Sequence, residues 1–125
     1  MEARLHFDDS PRRRSRTELL RYAIQRCVRG GETPLRIVTC FGDSEAYAAT
    51  VDLQGWIEGE GWTLPRVGFV PQAPTGVTLL VPCRHEVPEV LDRLIGVLAH
   101  FEWTQAPRVL QGSGRVPCLI IGPRD

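Results

Sequence analysis

Residues 40–44 and 83–86 hold the side chains of this sequence that are best suited to chemistry. Ser44 follows Gly42-Asp43 at the end of an apolar run, and a serine hydroxyl becomes a nucleophile when a base takes its proton. His85 is the imidazole that could act as this base. If both groups follow parallel strands, they line one ligand crevice, formed by Cys40, Phe41, Asp43, Ser44, Cys83, Arg84, His85 and Glu86.

The turn from Phe41 to Ser44 resembles the first block of the GDSL-type serine hydrolases. By that resemblance Ser44 is the nucleophile, and its own backbone N–H is an oxyanion donor. That family also uses an asparagine as an oxyanion donor and takes its base from an Asp-x-x-His motif near the C-terminus. This chain has no asparagine, and no aspartate precedes its histidines by three residues. We therefore favour a structural explanation, in which Asp43 caps the helix that follows.

A metal site is the second chemical interpretation of the same residues. Cys83, His85 and Glu86, together with Cys40, offer the thiolate, imidazole and carboxylate ligands that zinc prefers. This spacing is weakly specific, and the alternative is two buried thiols beside an exposed histidine in a turn. We expect neither a metal nor another cofactor.

Alternating strand and helix patterns position these residues. Near-continuous apolar runs predict buried strands over 35–40, 77–81 and 116–121, and weaker runs predict short strands over 64–70, at a sheet edge, and over 106–110. Helical spacing predicts helices over 15–29, 44–58 and 87–103. We expect an α/β sandwich of two or three layers, with a mostly parallel sheet of three to five strands and three helices.

The pattern over residues 34–123 resembles a type of small bacterial α/β domain. The matching pieces are Gly42 to Ala46, Gly61-Trp62, Gly76 to Leu79, Pro88 to Phe101 and Ile121 to Pro123. The resemblance implies architecture and no particular activity. With 125 residues, the chain is expected to form an N-terminal arm over 1–14 and a single domain over 15–125.

The most basic part of the chain runs from Pro11 to Arg29, with seven arginines and one acidic residue. A helix capped by Ser15 and Glu18 is predicted here. The helix over 44–58 is acidic, and a contact between the two, within one chain or between subunits, is credible. The candidate partner-binding residues are Arg12, Arg13, Arg14, Arg16, Arg21 and Arg26.

Composition describes an ordinary globular chain with a formal net charge of zero. Four cysteines without a CxxC pair, no signal peptide and no apolar run of about 20 residues favour a cytoplasmic protein without a membrane span. The leading hypothesis is a non-enzymatic interaction or regulatory module that binds a protein partner or itself through the arginine-rich N-terminal helix and the neighbouring acidic helix. The alternatives are a small hydrolase or ligand-binding domain at Ser44 and His85, and nucleic-acid binding through the arginine-rich segment.

Overall fold

A computed structural model describes the backbone of residues 11–100 and 107–123, and the side chains of residues 17–99 and 107–123. These residues form an α/β fold with three helices and a mostly parallel sheet of five strands. In chain order the elements are α1 (Pro11–Val28), β1 (Arg36–Cys40), α2 (Ser44–Glu58), β2 (Gly68–Val70), β3 (Val77–Val81), α3 (Glu89–His100), β4 (Arg108–Gln111) and β5 (Cys118–Ile121).

The strand order across the sheet is β2-β1-β5-β3-β4. β1 pairs in parallel with both β2 and β5, and β3 pairs in parallel with β4, whereas β3 and β5 are antiparallel. The carboxyl ends of β1, β2 and β5 therefore lie at one end of the sheet, and those of β3 and β4 lie at the opposite end. The edge position expected for the strand near residues 64–70 is confirmed for β2.

The direction of β3 differs from the premise of the predicted crevice. Val77, Leu79 and Val81 are buried in the core, and Thr78 is buried as well, as the continuous apolar run indicates. An apolar run indicates a largely buried strand, but it does not report the direction of that strand. Because β3 runs opposite to β1, the segments that follow these two strands lie at opposite ends of the sheet.

Helix α1 begins at Pro11 rather than at Ser15, so residues 11–14 are helical, and the division into arm and domain stays a prediction. Proline is well tolerated in the first turn of a helix, and arginine has a high helix propensity. Ser15 consequently lies inside the helix and does not cap it. Residues 1–10 of the expected arm lie outside the described residues, as do residues 101–103 at the predicted end of α3.

The hydrophobic core joins all three helices to the sheet. Alternate strand residues, such as Ile37, Leu79 and Leu119, belong to this core, together with Ile24 of α1 and Leu94 of α3. Trp62 seals one end of it, since its ring is buried and its Nε1–H donates to the carbonyl oxygen of Val28 at 2.9 Å. Within the described ranges, no helix has the length and apolar character needed to cross a membrane.

Candidate functional site

The structure separates the residues of the predicted crevice into two groups. Cys40 to Ser44 follow β1 at one end of the sheet, and Cys83 to Glu86 follow β3 at the opposite end. A strand rises about 3.3 Å per residue, so the five-residue strands alone separate the two groups by roughly 13 Å. The two groups do not form one crevice. Ligand binding by either group on its own stays a prediction.

Asp43 has the structural role that the sequence favours. It is the N-cap of α2, and its carboxylate oxygen Oδ1 accepts a hydrogen bond from the backbone N–H of Ala46 at 2.9 Å. The exposed Ser44 side chain makes no hydrogen bond with a described residue, and His85 is at the opposite end of the sheet. The structure therefore does not supply His85 as a base for Ser44. His6 and the side chain of His100 lie outside the described residues.

The four cysteines are free thiols, each of them partly buried. Burial raises the pKa of the Cys27 thiol to about 11 and raises that of Cys118 as well. Nowhere in the described parts of the chain do three His, Cys, Asp or Glu side chains come close enough to hold a metal ion. The zinc ligand set considered from the sequence is divided because Cys40 and Cys83 follow strands of opposite direction.

Three exposed aromatic rings meet where β1, β2 and α2 adjoin. Phe69 of β2 stacks on Phe41, with ring centroids 5.1 Å apart, and on Tyr47 of α2, at 5.6 Å. Phe41 is 67% exposed, and Tyr47 and Phe69 are each 45% exposed. We call these three residues the aromatic edge. Rings of this size are normally buried, and an exposed cluster of them is typical of a binding surface.

A groove of about 340 Å³ runs beside the aromatic edge, between α2 and β2. One wall is a single stripe of α2, and the other is β2 with the two residues before it. We call this the edge groove; it is lined by Tyr47, Val51, Gln54, Gly55, Glu58, Arg66, Val67 and Phe69. Its middle is apolar, and Glu58 and Arg66 provide opposite charges.

Gln54 attaches the two walls of the edge groove to each other. Its side-chain amide Nε2 donates to the carbonyl oxygen of Pro65 at 3.1 Å, which holds the segment before β2 against α2. Its Oε1 is buried and has no hydrogen-bond donor among the described residues. A second concavity, of about 310 Å³, lies on the other side of Tyr47 and Phe69 and is lined also by Cys40, Gly42, Asp43 and Ser44. The aromatic rings thus separate two shallow depressions.

The outer side of β2 is an unpaired strand edge. The carbonyl oxygen of Val70 accepts from Phe41 N at 3.0 Å, so the backbone groups of Val70 face β1. Backbone groups alternate in direction along a strand, and those of Phe69 therefore face outward. No described residue bonds to them. The residue at the centre of the aromatic stack is thus also the one that presents a free N–H and a free C=O.

The basic face of α1 is partly used within the chain. Arg29 pairs with Glu60, just beyond the end of α2, at 2.8 Å, which realises within one chain the basic-to-acidic contact expected from the sequence. Arg26 lies over the ring of Tyr22, and Arg21 is exposed. Of the predicted partner-binding residues, Arg21 and Arg26 are therefore at the surface. The side chains of Arg12, Arg13, Arg14 and Arg16 lie outside the described residues.

An apolar pocket of about 190 Å³ is enclosed by α1, α2, α3 and the sheet. Leu20, Leu53 and Leu98 line it from the three helices, and Val77 and Ile121 line it from the strands. Asp52 is the charged residue of its lining, and desolvation raises the pKa of this carboxyl above its usual value.

Sequence reasoning missed the aromatic edge because the helical pattern of 44–58 was interpreted as one apolar stripe, with Tyr47 and Val51 beside its other members. The buried residues of α2 are Ala46, Thr50, Leu53 and Ile57. Tyr47 and Val51 are four residues apart, and they directly follow Ala46 and Thr50. They therefore form a second stripe, turned toward β2. The signal that was available is that this helix is apolar on two neighbouring stripes, whereas one packed face needs only one.

Comparison with known proteins gives no functional information. No protein-family model matches the chain, and neither the curated proteins nor the solved structures provide a match. The resemblances to the GDSL-type hydrolases and to small bacterial α/β domains stay without support from these comparisons. Any function has to be inferred from the geometry of the chain's own residues.

Proposed function

We propose that this chain is a non-enzymatic interaction module that binds a protein partner through the aromatic edge and the edge groove. The observation that carries the proposal is the exposed stack of Phe41, Tyr47 and Phe69. Exposed aromatic rings in mutual contact leave a large apolar area in water, and this arrangement costs free energy unless a partner covers it. Tyrosine and other aromatic residues are also the common anchors of protein interfaces.

Electrostatics gives this surface a preferred partner. Helix α2 and its caps carry Asp43, Glu45, Asp52 and Glu58 and no basic residue, so the field beside the aromatic edge is negative apart from Arg66. Complementary charge steers association and fixes register. The partner surface is therefore expected to be apolar and to place a basic side chain beside the acidic start of α2. Arg21 and Arg26 on α1 form a separate, basic surface.

We further infer a two-layer arrangement in which all three helices cover one face of the sheet. The core draws alternate residues from β1, β3 and β5 and buried residues from each helix, which is the pattern of a single interface. Right-handed crossovers from β1 to β2 and from β3 to β4 also place α2 and α3 on the same face. Free thiols suit a reducing compartment, and we propose a cytoplasmic location in a bacterial cell.

The alternative functions lack an observation of this kind. Hydrolysis at Ser44 would need a base, and His85 cannot be that base because it lies at the opposite end of the sheet. Nucleic-acid binding would use Arg21, Arg26 and the arginines before them, but Arg29 is engaged by Glu60, and Tyr22, the exposed ring on the described part of α1, lies under Arg26 and does not stack on another ring there. Both alternatives stay predictions from the sequence.

The test is a selection of binding peptides by the full chain. A random-peptide display library is panned against the immobilised protein, and enriched peptides are then measured by calorimetry against the wild type and against Phe69→Ser. The matched control is Leu110→Ser on the other edge strand, because Leu110 is 44% exposed and Phe69 45%. We expect enriched peptides to be apolar and basic, to lose at least about tenfold in affinity for Phe69→Ser, and to bind Leu110→Ser normally.

Two results would contradict the proposal. One is a library that yields no peptide with measurable affinity for the wild type. The other is a set of peptides that binds the Phe69→Ser and Leu110→Ser variants equally well, since the recognition surface would then lie elsewhere.

A further inference from the structure

The free edge of β2 has a geometry that suits a second copy of the same chain. β2 is three residues long and pairs only with β1. Its middle residue, Phe69, is the one whose N–H and C=O face away from the sheet, as the bond from Phe41 N to the Val70 carbonyl establishes. A strand edge with a single outward-facing residue at its centre has a natural two-fold axis at that residue.

Antiparallel pairing about this axis uses the free groups completely. In an antiparallel ladder, two directly opposed residues of the hydrogen-bonded type exchange both of their N–H···O bonds. Phe69 of one copy and Phe69 of the other would form such a pair. Pro71 has no N–H and therefore ends the ladder after a short distance, which suits a closed dimer and opposes an extended fibre.

The side chains agree with the backbone. Phe69 is paired with Thr39 across the β1–β2 ladder and stacks on Tyr47 of α2, so its ring lies on the helix-covered side of the sheet. Directly opposed residues of a ladder point to the same face. The two Phe69 rings would thus meet, and the edge grooves of the two copies would join into one apolar seam.

Charges at the two ends of the edge are complementary under the same rotation. Arg66 lies just before β2, and Asp43, at the start of α2, lies beside the opposite end of that strand and lines the same depression as Phe69. A two-fold axis at Phe69 brings the start of one β2 next to the end of the other. Arg66 of each copy is then placed near Asp43 of its partner, and both pairs form at once.

We propose that the partner recognised at the aromatic edge is a second copy of this chain, joined by antiparallel pairing of β2 with β2 about Phe69. This inference rests on the proposed function, because it names the occupant of the surface assigned there. It is an isologous interface, in which the same patch serves both subunits.

Analytical ultracentrifugation of the full chain over a hundredfold concentration range tests the dimer. We expect a reversible monomer–dimer equilibrium for the wild type, at least about tenfold weaker dimerisation for Phe69→Ser and for Tyr47→Ser, and no change for Leu110→Ser. Circular dichroism of each variant confirms folding, and two separate substitutions keep the test valid if one of them does not fold. A chain that stays monomeric throughout would overturn the inference.

Residue-resolved amide exchange by NMR tests the pairing itself. The Phe69 amide should exchange at least about tenfold more slowly in concentrated than in dilute samples, because it gains a partner in the dimer. The amide of Val70 faces β1 and should not change with concentration. A dimer in which the Phe69 amide gains no protection would overturn the strand pairing. If the chain is monomeric but peptides from the display still require Phe69, self-pairing is wrong and the proposed interaction function stands; if neither is seen, both fail.

Discussion

Replacing Asp43 by alanine separates the structural explanation of the Asp-Ser pair from the catalytic one. The Oδ1 atom of Asp43 accepts from Ala46 N at 2.9 Å and so satisfies one of the free N–H groups at the start of α2. Loss of an N-cap of this kind costs about 1 kcal/mol. The carboxylate also lies at the positive end of the helix dipole, which adds a few tenths of a kcal/mol at low salt.

The expected change in melting temperature follows from the size of the chain. Unfolding entropy is about 2.1 cal/mol/K per residue, which for 125 residues gives about 0.26 kcal/mol/K. A loss of about 1 kcal/mol therefore lowers the melting temperature of Asp43→Ala by about 4 °C. Asp43→Ser should retain most of the stability, because serine is also a good N-cap.

Ser44→Ala is the companion variant. The Ser44 side chain is exposed and makes no hydrogen bond with a described residue, and alanine has the higher helix propensity, so we expect this change to be neutral or slightly stabilising. Thermal unfolding followed by circular dichroism gives all three values. The capping account is refuted if Asp43→Ala melts with the wild type, or if Asp43→Ser is as unstable as Asp43→Ala.

Three further results are expected. Trp62→Phe should lower the free energy of unfolding by about 2 kcal/mol in urea titrations, because it removes a buried hydrogen bond to the carbonyl of Val28 and leaves space in the core; an unchanged midpoint would contradict this role. Cys27 should react with iodoacetamide at pH 8 roughly 100-fold more slowly in the folded than in the unfolded chain, since a pKa raised from 9.0 to about 11 lowers the thiolate fraction by that factor. Equal labelling of the folded and unfolded chain, measured by mass spectrometry, would contradict this raised pKa. Asp52 has a folded-state pKa above its unfolded value, because burial favours the protonated carboxyl, so stability falls as pH rises through the region just above 3.8. Asp52→Asn should remove this loss. The melting temperature of the variant should therefore exceed that of the wild type at pH 7 but not at pH 3.

Local signals in the sequence predict the elements well where one interaction decides the outcome. Asp43 predicts the start of α2 because a short carboxylate before a helical stripe has one favourable use, and the structure contains that hydrogen bond. Pro65 before β2 and Gly68 at its start predict an edge strand because neither residue suits the middle of a sheet. The class of the fold and the mostly parallel sheet follow from the same kind of reasoning.

Long-range arrangement is the part that the sequence did not reveal. β5 lies between β1 and β3 and pairs in parallel with β1 but antiparallel with β3, so β3 runs against β1. The apolar run of β3 is compatible with either direction. The predicted crevice depended on this one direction and therefore did not form. The aromatic edge was missed for a related reason, because Phe41, Tyr47 and Phe69 come from three separate segments and are brought together only by packing of α2 beside β2.

The most direct test of a recognition surface at the aromatic edge is an amide chemical-shift map of the full chain, recorded while a display-selected peptide is added. The account predicts that the largest shifts fall on Phe41, on the stripe of α2 that includes Tyr47 and Val51, and on residues 66–70. Shifts that fall instead on Arg21 and Arg26 of α1, or on residues 83–86 at the opposite end of the sheet, would contradict it.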